Sequence, residues 1–451
     1  MTISVRPEAG APRDYHFPRF ERRTLGNGMG IIVAPVTKLP VVTVLAIVDA
    51  GGTSDAAGKE GVASLTAEAL REGTTHRNGL ELAMEFEKLG TSLEAGADWD
   101  STVLSMTVLS EHLAESLALF GEVLTAPAFL ASDVDRLRAE RLAERMQLLS
   151  EPRALADESF AKFIYAQGSR YSQPLSGGTR SVTSITSEDI NAFYRRNYCP
   201  DAVTMIFVGD ISVETAATLV EGVVGSWQGQ RTSTRTLVDE RARTSRAASL
   251  VPKTEAAQSE LRIGHVGVER THPDYFAIVV MNAILGGLFS SRINLNLREA
   301  HGYTYGASSY YDWRRNAGPF VISTAVQSEV TAEAIRETLG EIDRMRTEEI
   351  PEEELTLATD YLDGVFPIRY ETTSAIASAL ASMVIFGLPA DYYDTYRTKV
   401  RAVTTADVLA AAQNHVDAAG LQILVVGDPA IITEPMESLG IGAVLQADLE
   451  G

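Results

Sequence analysis

The alternation of apolar and polar residues predicts both strands and helices in the first third of the chain. The stretch STVLSMTVL (101–109) alternates with a period of two, as a half-buried strand does. Asn27-Gly28 precedes an apolar run, which indicates a tight turn between two strands. Apolar residues recur at helical spacing in GKEGVASLTAEALREGT (58–74) and twice more within 111–152. Strands grouped with helices, without strict β-α-β alternation, predict the layers of an α+β fold.

The second half of the chain repeats the element order of the first. TSEDINAFYRRNYCPDAVTMIFVGD (186–210) resembles TTADVLAAAQNHVDAAGLQILVVGD (404–428), and their Val-Gly-Asp endings lie 218 residues apart. Two weaker pairs have a similar offset, namely 45–52 with 261–268 and 87–98 with 298–309. A repeated order at one offset predicts a duplicated domain. The alternative is chance similarity between common α/β segments.

A polar, arginine-rich stretch separates the two repeats. Residues 226–250 lack clear periodicity, as expected of a linker. We therefore predict an N-terminal domain over 1–225, a linker over 226–250 and a C-terminal domain over 251–451.

Composition excludes several classes of partner and site. The formal net charge of −21 argues against nucleic acid or an anionic membrane as the main partner. Cys199 is the single cysteine, so no internal disulfide is possible and a packed thiol is expected. We find neither an apolar signal-peptide core near the N-terminus nor a run of about 18 apolar residues. A cytoplasmic location is expected, or a periplasmic one if a signal peptide has been removed.

The histidines cannot form a zinc site on a single helix. Such a site needs two imidazoles one turn apart and a carboxylate base. None of the seven histidines lies three, four or five residues from another. Only a site assembled from distant histidines remains open.

The segment AGGTSDAAGKEGVASLTAEALREGT (50–74) resembles the signature of the pitrilysin/insulinase metallopeptidases, which include the mitochondrial processing peptidases. In that family a helix carries His-x-x-Glu-His, and the resemblance places these three positions at Ser64, Ala67 and Glu68. The third ligand is a glutamate about 75 residues further on, which corresponds to Glu144. The resemblance therefore implies a metal site that has lost its ligands.

The residues at these positions cannot support the family's chemistry. A neutral serine at 64 is a poor zinc ligand, and Ala67 cannot accept a proton from a metal-bound water. Loss of a general base alone costs about 10²–10⁴ in rate. Glu68 and Glu144 offer only oxygen ligands, and without a cation each would raise the pKa of the other.

Glu144 also has a structural interpretation. It shares a helical stripe with Leu137 and Leu148, so we expect it not to be fully exposed. Alternatively, it is a partly buried glutamate paired with Arg141 or Arg145.

The second half keeps a motif of the same family. The segment LREAHGYTYG (297–306) matches the family pattern Leu-Arg-Glu-x-x-Gly-x-x-Tyr. In the family the arginine and the tyrosine, here Arg298 and Tyr305, face the zinc site across a chamber and help to hold the substrate. Alternatively, Arg298 pairs with a nearby carboxylate and Tyr305 packs in a sheet. The aromatic residues of SSYYDW (308–313) either line a peptide groove or simply pack, and residues 152–178 are predicted to form a helix followed by a loop.

The resemblance implies a fold and a function. The fold is α+β, with two homologous domains of the LuxS/MPP-like metallohydrolase type, each a mainly antiparallel sheet with helices packed on it. The function is that of a non-catalytic, substrate-positioning subunit of a zinc-dependent endopeptidase. No metal is expected in this chain, because the zinc belongs to a homologous partner bearing His-x-x-Glu-His. Peptides are the expected substrates, with neither nucleic acid nor membrane as a partner.

Two other functions remain open. One is a stand-alone peptide-binding or assembly scaffold without chemistry in any complex, a role that resembles that of the core subunits of the respiratory bc1 complex. Alternatively, an unconventional metal at Glu68 and Glu144 makes the chain an enzyme by itself.

Overall fold

The computed structural model of the chain describes residues 14–232, 239–442 and 444–446. They form two six-stranded mixed sheets, one from each half, with helices on both faces. The strands of the first half are β1 Glu21–Thr24, β2 Gly30–Pro35, β3 Val41–Val48, β4 Glu94–Ala97, β5 Thr102–Leu109 and β6 Val203–Gly209. Its helices are α1 Val62–Ala69, α2 Gly79–Lys88, α3 Leu113–Thr125, α4 Ala131–Ser150, α5 Pro152–Ile164, α6 Thr179–Ser184, α7 Ser187–Asn197 and α8 Val213–Val224.

The second half supplies the other sheet. Its strands are β7 Ala247–Pro252, β8 Gln258–Val266, β9 Ala307–Tyr311, β10 Pro319–Gln327, β11 Gln422–Gly427 and β12 Val444–Gln446. Its helices are α9 Tyr275–Asn282, α10 Arg292–Asn294, α11 Thr331–Thr347, α12 Glu352–Arg369, α13 Thr373–Phe386, α14 Tyr392–Arg401, α15 Thr405–His415 and α16 Pro429–Ser438. Two π-helical turns, Ala283–Gly287 and Leu295–Ala300, follow α9 and α10.

The two sheets have the same internal order. The first sheet runs β1-β2-β6-β3-β5-β4 and the second runs β12-β7-β11-β8-β10-β9. The order β2-β6-β3-β5-β4 in the first sheet therefore corresponds to β7-β11-β8-β10-β9 in the second. Helices α7 and α15 begin with equivalent capping boxes, Thr186 with Asp189 and Thr404 with Asp407, at the predicted offset of 218. The α+β fold with two homologous sheet-and-helix units is confirmed.

The strand pairing corrects one of the predicted repeat alignments. Ile47 of β3 pairs with Thr204, and Gly264 of β8 pairs with Gln422, the residue equivalent to Thr204. The structural offset between β3 and β8 is therefore 217, whereas matching 45–52 to 261–268 gives 216. A shift of one residue exchanges the two faces of a strand, so the sequence match assigned each side chain to the wrong face.

Each sheet is covered on one face by a helix from the other half. Helix α5 packs against β8 and β11, and α13 packs against β3 and β6. The buried side chains of β3 alternate accordingly. Leu45 and Ile47 join the core that contains α13, whereas Val44 and Ala46 face the helices of their own half. Without the opposite half, part of one face of each sheet would be uncovered.

The structure moves one predicted boundary, the end of the linker. Strand β7 begins at Ala247, so the last four residues of the predicted linker belong to the second sheet. Residues 233–238 of that linker lie outside the described part of the chain. Other local predictions are confirmed. Residues 102–109 form a strand, Gly28 lies in the β1–β2 turn with φ +93°, and Cys199 is buried.

Within the part of the chain that the structure describes, one helical segment is long and apolar enough, by length and composition alone, to cross a membrane, although none was predicted. It covers residues 275–300, and half of its most apolar stretch is buried inside the protein. Ile278, Val280 and Met281 lie in the core of the second half. Packing against the second sheet accounts for its apolar composition.

Candidate functional site

Helix α1, which carries the positions of the lost metal ligands, begins at Val62 rather than near Gly58. Gly61 is left-handed, with φ +98°, and a Cβ there would lie 2.4 Å from the carbonyl oxygen of Ser176. The buried Asp55 carboxylate accepts hydrogen bonds from the backbone N–H groups of Gly61 and Ala63, at 2.7 and 2.9 Å. A glycine and a distant carboxylate thus start the helix and shorten the predicted one.

A buried ion pair holds the loop beside the start of α1. The Arg170 guanidinium donates to Asp55 at 2.8 Å and to the carbonyl oxygens of Pro174 and Leu175 at 3.0 Å. Burial raises the pKa of Asp55, and the positive charge of Arg170 opposes that shift. Residues 165–178 are therefore fixed against α1, and the predicted helix-then-loop over 152–178 is present as α5 and this loop.

Only two residues of α1 are not fully buried, and they are Ser64 and Glu68. They lie one turn apart on the same helix face, as the resemblance requires of two ligand positions. Ala67 is buried in the N-terminal half and offers no polar atom. Sequence position therefore predicted correctly which α1 residues share a face.

Arg141 of α4 lies against this face of α1. One terminal nitrogen, Nη1, donates to Ser64 Oγ at 3.2 Å and to the Ser176 carbonyl oxygen at 3.3 Å. The other, Nη2, donates to a carboxylate oxygen of Glu68. Its side chain is 11% exposed, and Nε lies 3.5 Å from the Glu144 carboxylate. Ser64, Glu68 and Glu144 are thus brought together around a guanidinium.

The exposure predicted for Glu144 is wrong. Its side chain is 73% exposed, and Leu148 on the same stripe is largely exposed as well. Among the residues of α4 only Val134 and Leu137 are fully buried, so the apolar stripe ends before Glu144. The predicted alternative, a pairing with Arg141, is present, whereas Arg145 pairs with Glu158.

These residues do not fit a zinc ion. Burial raises the pKa of Glu68, the Arg141 guanidinium opposes that shift, and the Glu144 carboxylate adds to it. The strongest partner of Glu68 is already a permanent cation, and the other donors are a hydroxyl and an exposed carboxylate. Zinc sites combine imidazole or thiolate ligands with any carboxylate, and neither imidazole nor thiolate is present among these residues.

Arg298 lies in the second π-helical turn, a feature that the sequence pattern did not indicate. Its guanidinium stacks on the Phe289 ring, 4.4 Å from the centroid, and lies 3.6 Å from the Glu299 carboxylate. Gly302, with φ +66°, ends the turn, and the Tyr303 N–H donates to the Leu297 carbonyl oxygen. Arg298 therefore lies in the last turn before a strand, as predicted.

Tyr305 projects from the loop between this turn and β9. Its side chain is 93% exposed, and its phenol has no hydrogen-bond partner within 14–232, 239–442 and 444–446. The backbone on either side is held. Thr304 accepts a hydrogen bond from the Gly306 N–H at 3.0 Å, and the buried Asn294 side chain accepts one from the Ala307 N–H at 3.1 Å. The alternative in which Tyr305 packs in a sheet is therefore wrong.

The aromatic residues that follow mostly pack. Tyr311 is buried, donates to the His415 carbonyl oxygen at 3.0 Å and stacks on Trp313 at 5.2 Å between ring centroids. Tyr310 is more exposed than Tyr311. Packing, rather than a groove lining, accounts for Tyr311 and Trp313.

The fold brings two distant histidines together, which the sequence left open. His272, Asp274 and His415 approach one another in the second half. His415 Nε2 lies 2.7 Å from an Asp274 carboxylate oxygen, and His272 Nδ1 accepts the Asp274 N–H at 3.1 Å. Because these bonds already engage one nitrogen of each ring, the cluster is accounted for as a hydrogen-bonded group.

Comparison with known proteins gives consistent family matches. A family model described as "Insulinase (Peptidase family M16)" matches residues 32–176, and one described as "Peptidase M16 inactive domain" matches residues 184–362. An uncharacterized zinc protease of Streptomyces coelicolor is 23% identical, over 87% of this chain and 86% of that protein. A probable mitochondrial-processing peptidase subunit beta of Schizosaccharomyces pombe is 27% identical, over 60% of this chain and 59% of that protein.

Solved structures show the same architecture. The peptidase M16 inactive domain from Pseudomonas fluorescens has a TM-score of 0.85 at 25% identity, over 91% of this chain and 98% of that one. A protease from Helicobacter pylori has a TM-score of 0.84 at 18% identity, over 91% and 100%. The second likeness concerns the fold alone. Taken with the two family models, which together cover more than two thirds of the sequence, these matches show that the chain belongs to peptidase family M16.

Proposed function

We propose that this chain is the non-catalytic, substrate-positioning subunit of a heteromeric zinc-dependent endopeptidase. Its partner is a homologous chain that bears His-x-x-Glu-His and holds the zinc. The observation that carries the proposal is the occupation of the Ser64–Glu68 face by Arg141, which leaves no donor set for a catalytic metal. Bond cleavage would therefore depend on a second polypeptide.

The exposed pair in the second half supports a positioning role. Tyr305 presents a phenol to solvent on a backbone held on both sides, and Arg298 is one third exposed. An arginine fork and a phenol hydroxyl are both donors, and together they suit a peptide carbonyl oxygen. Because the backbone beside Tyr305 is already held, less of the loop has to be ordered when a peptide binds.

The names of the relatives favour a peptidase complex over a scaffold without chemistry. One relative is named a zinc protease, and another is named a subunit of the mitochondrial-processing peptidase. Peptides are accordingly the proposed substrates. The metal at Glu68 and Glu144 is not proposed, because Glu68 is paired with Arg141 and Glu144 is exposed.

Reconstitution tests the proposal directly. The purified chain is mixed with a homologue from the same organism that carries His-x-x-Glu-His, and hydrolysis of a quenched fluorescent peptide library is measured. We expect little turnover from either chain alone and a large gain in the mixture that a chelator abolishes. Tight binding without any gain would favour the scaffold, and chelator-sensitive turnover by this chain alone would contradict the proposal.

A further inference from the structure

The guanidinium of Arg141 connects three separate segments at the degenerate metal site. Its donors reach Ser64 and Glu68 on α1, its own helix is α4, and Nη1 also reaches the carbonyl oxygen of Ser176 in the loop that follows α5. The side chain is nearly buried. In a metallopeptidase of this family a metal ion would join the equivalent segments of α1 and α4.

The charges around Arg141 suit a cation. Glu68 is half-buried, and a second carboxylate, Glu144, contributes to its electrostatic environment. Two neighbouring carboxylates repel each other unless a positive charge lies between them. A guanidinium supplies that charge, remains protonated at any physiological pH and forms directional bonds to several oxygens at once.

We propose that Arg141 is a resident cation that replaces the metal ion of catalytic relatives. It joins α1 to α4 and to the Ser176 loop, and its permanent charge excludes a divalent cation from the face formed by Ser64, Glu68 and Glu144. The chain thus keeps the structural role of the metal after losing the metal chemistry. This inference concerns the isolated chain and does not depend on a catalytic partner.

Zinc binding by redesigned chains tests the exclusion. The variant S64H/E68H restores two imidazoles one turn apart while Arg141 remains, and S64H/E68H/R141A also removes the guanidinium. After equilibration with zinc chloride and dialysis, zinc per chain is measured by elemental analysis, and cobalt absorption reports the coordination. We expect near one zinc per chain in the triple variant, and at least ~10-fold weaker binding in the double variant.

Two outcomes would overturn the exclusion. The first is equally tight zinc binding in both variants, because Arg141 would then present no barrier. The second is no zinc in either variant while circular dichroism shows both to be folded, because the vacated face would then not be a cation site.

Thermal unfolding tests the structural part. Arg141→Met keeps much of the side-chain volume without the charge, and we expect the Tm to fall by roughly 3 °C or more. Arg136→Met is the matched control on the same helix, because Arg136 forms exposed ion pairs with Glu72 and Glu140 and should shift the Tm by about 1 °C or less. Adding Glu68→Gln to the Arg141→Met chain should recover most of the loss. Equal shifts for the two arginine variants, or no recovery, would refute the role.

Discussion

Two arginines, one in each half, differ in their exposure and in how their donors are engaged. Arg141 directs its donors to oxygens of α1 and the Ser176 loop and is 11% exposed. Arg298 is 33% exposed and contacts the Phe289 ring and, at 3.6 Å, the Glu299 carboxylate. An arginine whose hydrogen bonds are satisfied internally stabilises a structure, whereas one with unused donors is available to a ligand. In the first half the arginine is enclosed by its partners, whereas in the second half it keeps donors at the surface.

The helix that covers each sheet from the opposite half also makes different contacts in the two cases. Leu45 of β3 packs towards α13, and the equivalent position in β8 at the structural offset of 217 is Arg262. Arg262 is 1% exposed and pairs with Asp157 of α5 at 2.6 Å and with Glu260 at 2.9 Å. Both helices pack through apolar residues, but α5 is also held by a buried charge. Duplication kept the topology of this interface but not its chemistry.

The largest effect is expected from removing the Arg298 side chain. In the reconstituted complex, Arg298→Ala should lower kcat/KM by between about 100- and 1000-fold, because a fixed donor to the peptide is lost. Tyr305→Phe should lower it by roughly 10-fold through loss of one hydrogen bond. Peptide hydrolysis is measured with each variant.

The controls for this prediction are an exposed arginine and an exposed tyrosine elsewhere in the second half. Arg336→Ala on α11 and Tyr361→Phe on α12 should leave kcat/KM unchanged. None of the four substitutions should shift the Tm appreciably. Wild-type turnover with both Arg298→Ala and Tyr305→Phe would remove the assigned roles.

The halves should also differ in their response to acid. Burial lowers the pKa of His265 to about 4, and its Nε2 accepts the Asp417 N–H at 3.1 Å, so protonation breaks a bond. The equivalent position in β3 is Val48, which cannot titrate. The unfolded chain binds this proton near pH 6.5. The contribution of neutral His265 to the free energy of unfolding is therefore complete above that pH and is lost as the pH falls towards 4. The integrated loss is roughly 3 kcal/mol.

Urea unfolding at pH 7 and pH 4.5 measures the stability that is lost on acidification. His265→Gln, whose amide can still accept a hydrogen bond, should show a flatter pH dependence than the wild-type chain. A variant as acid-sensitive as the wild type would assign the effect to other groups.

The smallest effect is expected at α5 and α13, the helices that each cover the sheet of the opposite half. Arg262→Ala should lower the free energy of unfolding by about 2 kcal/mol, because it leaves Glu260 and the half-exposed Asp157 without their buried partner. At the other interface, Thr43→Val removes the hydroxyl contact with Thr373 at 2.9 Å and should cost about 1 kcal/mol. Denaturant unfolding of both variants ranks the interfaces. A larger loss of unfolding free energy in Thr43→Val than in Arg262→Ala would contradict this ranking of the two interfaces.

Much of the fold was predictable because its signals are local. The period-two strand at 102–109, the Asn27-Gly28 turn and the paired capping boxes depend on residues that are close in sequence. The packing of α5 and α13 on the sheet of the opposite half was not predictable, because the sequence of a helix does not show which of two sheets it covers. The 217-residue offset of β8 likewise follows from pairing with a distant strand.

The sequence by itself excluded one kind of metal site. The types and spacing of residues exclude two imidazoles one turn apart on a single helix, and folding cannot change that spacing. Only the tertiary structure decided what replaced them. The meeting of Arg141 with Ser64, Glu68 and Ser176, and the exposure of Glu144 and Tyr305, depend on how helices distant in sequence pack. Composition limits the chemistry available to a site, whereas long-range packing selects the side chains that meet there.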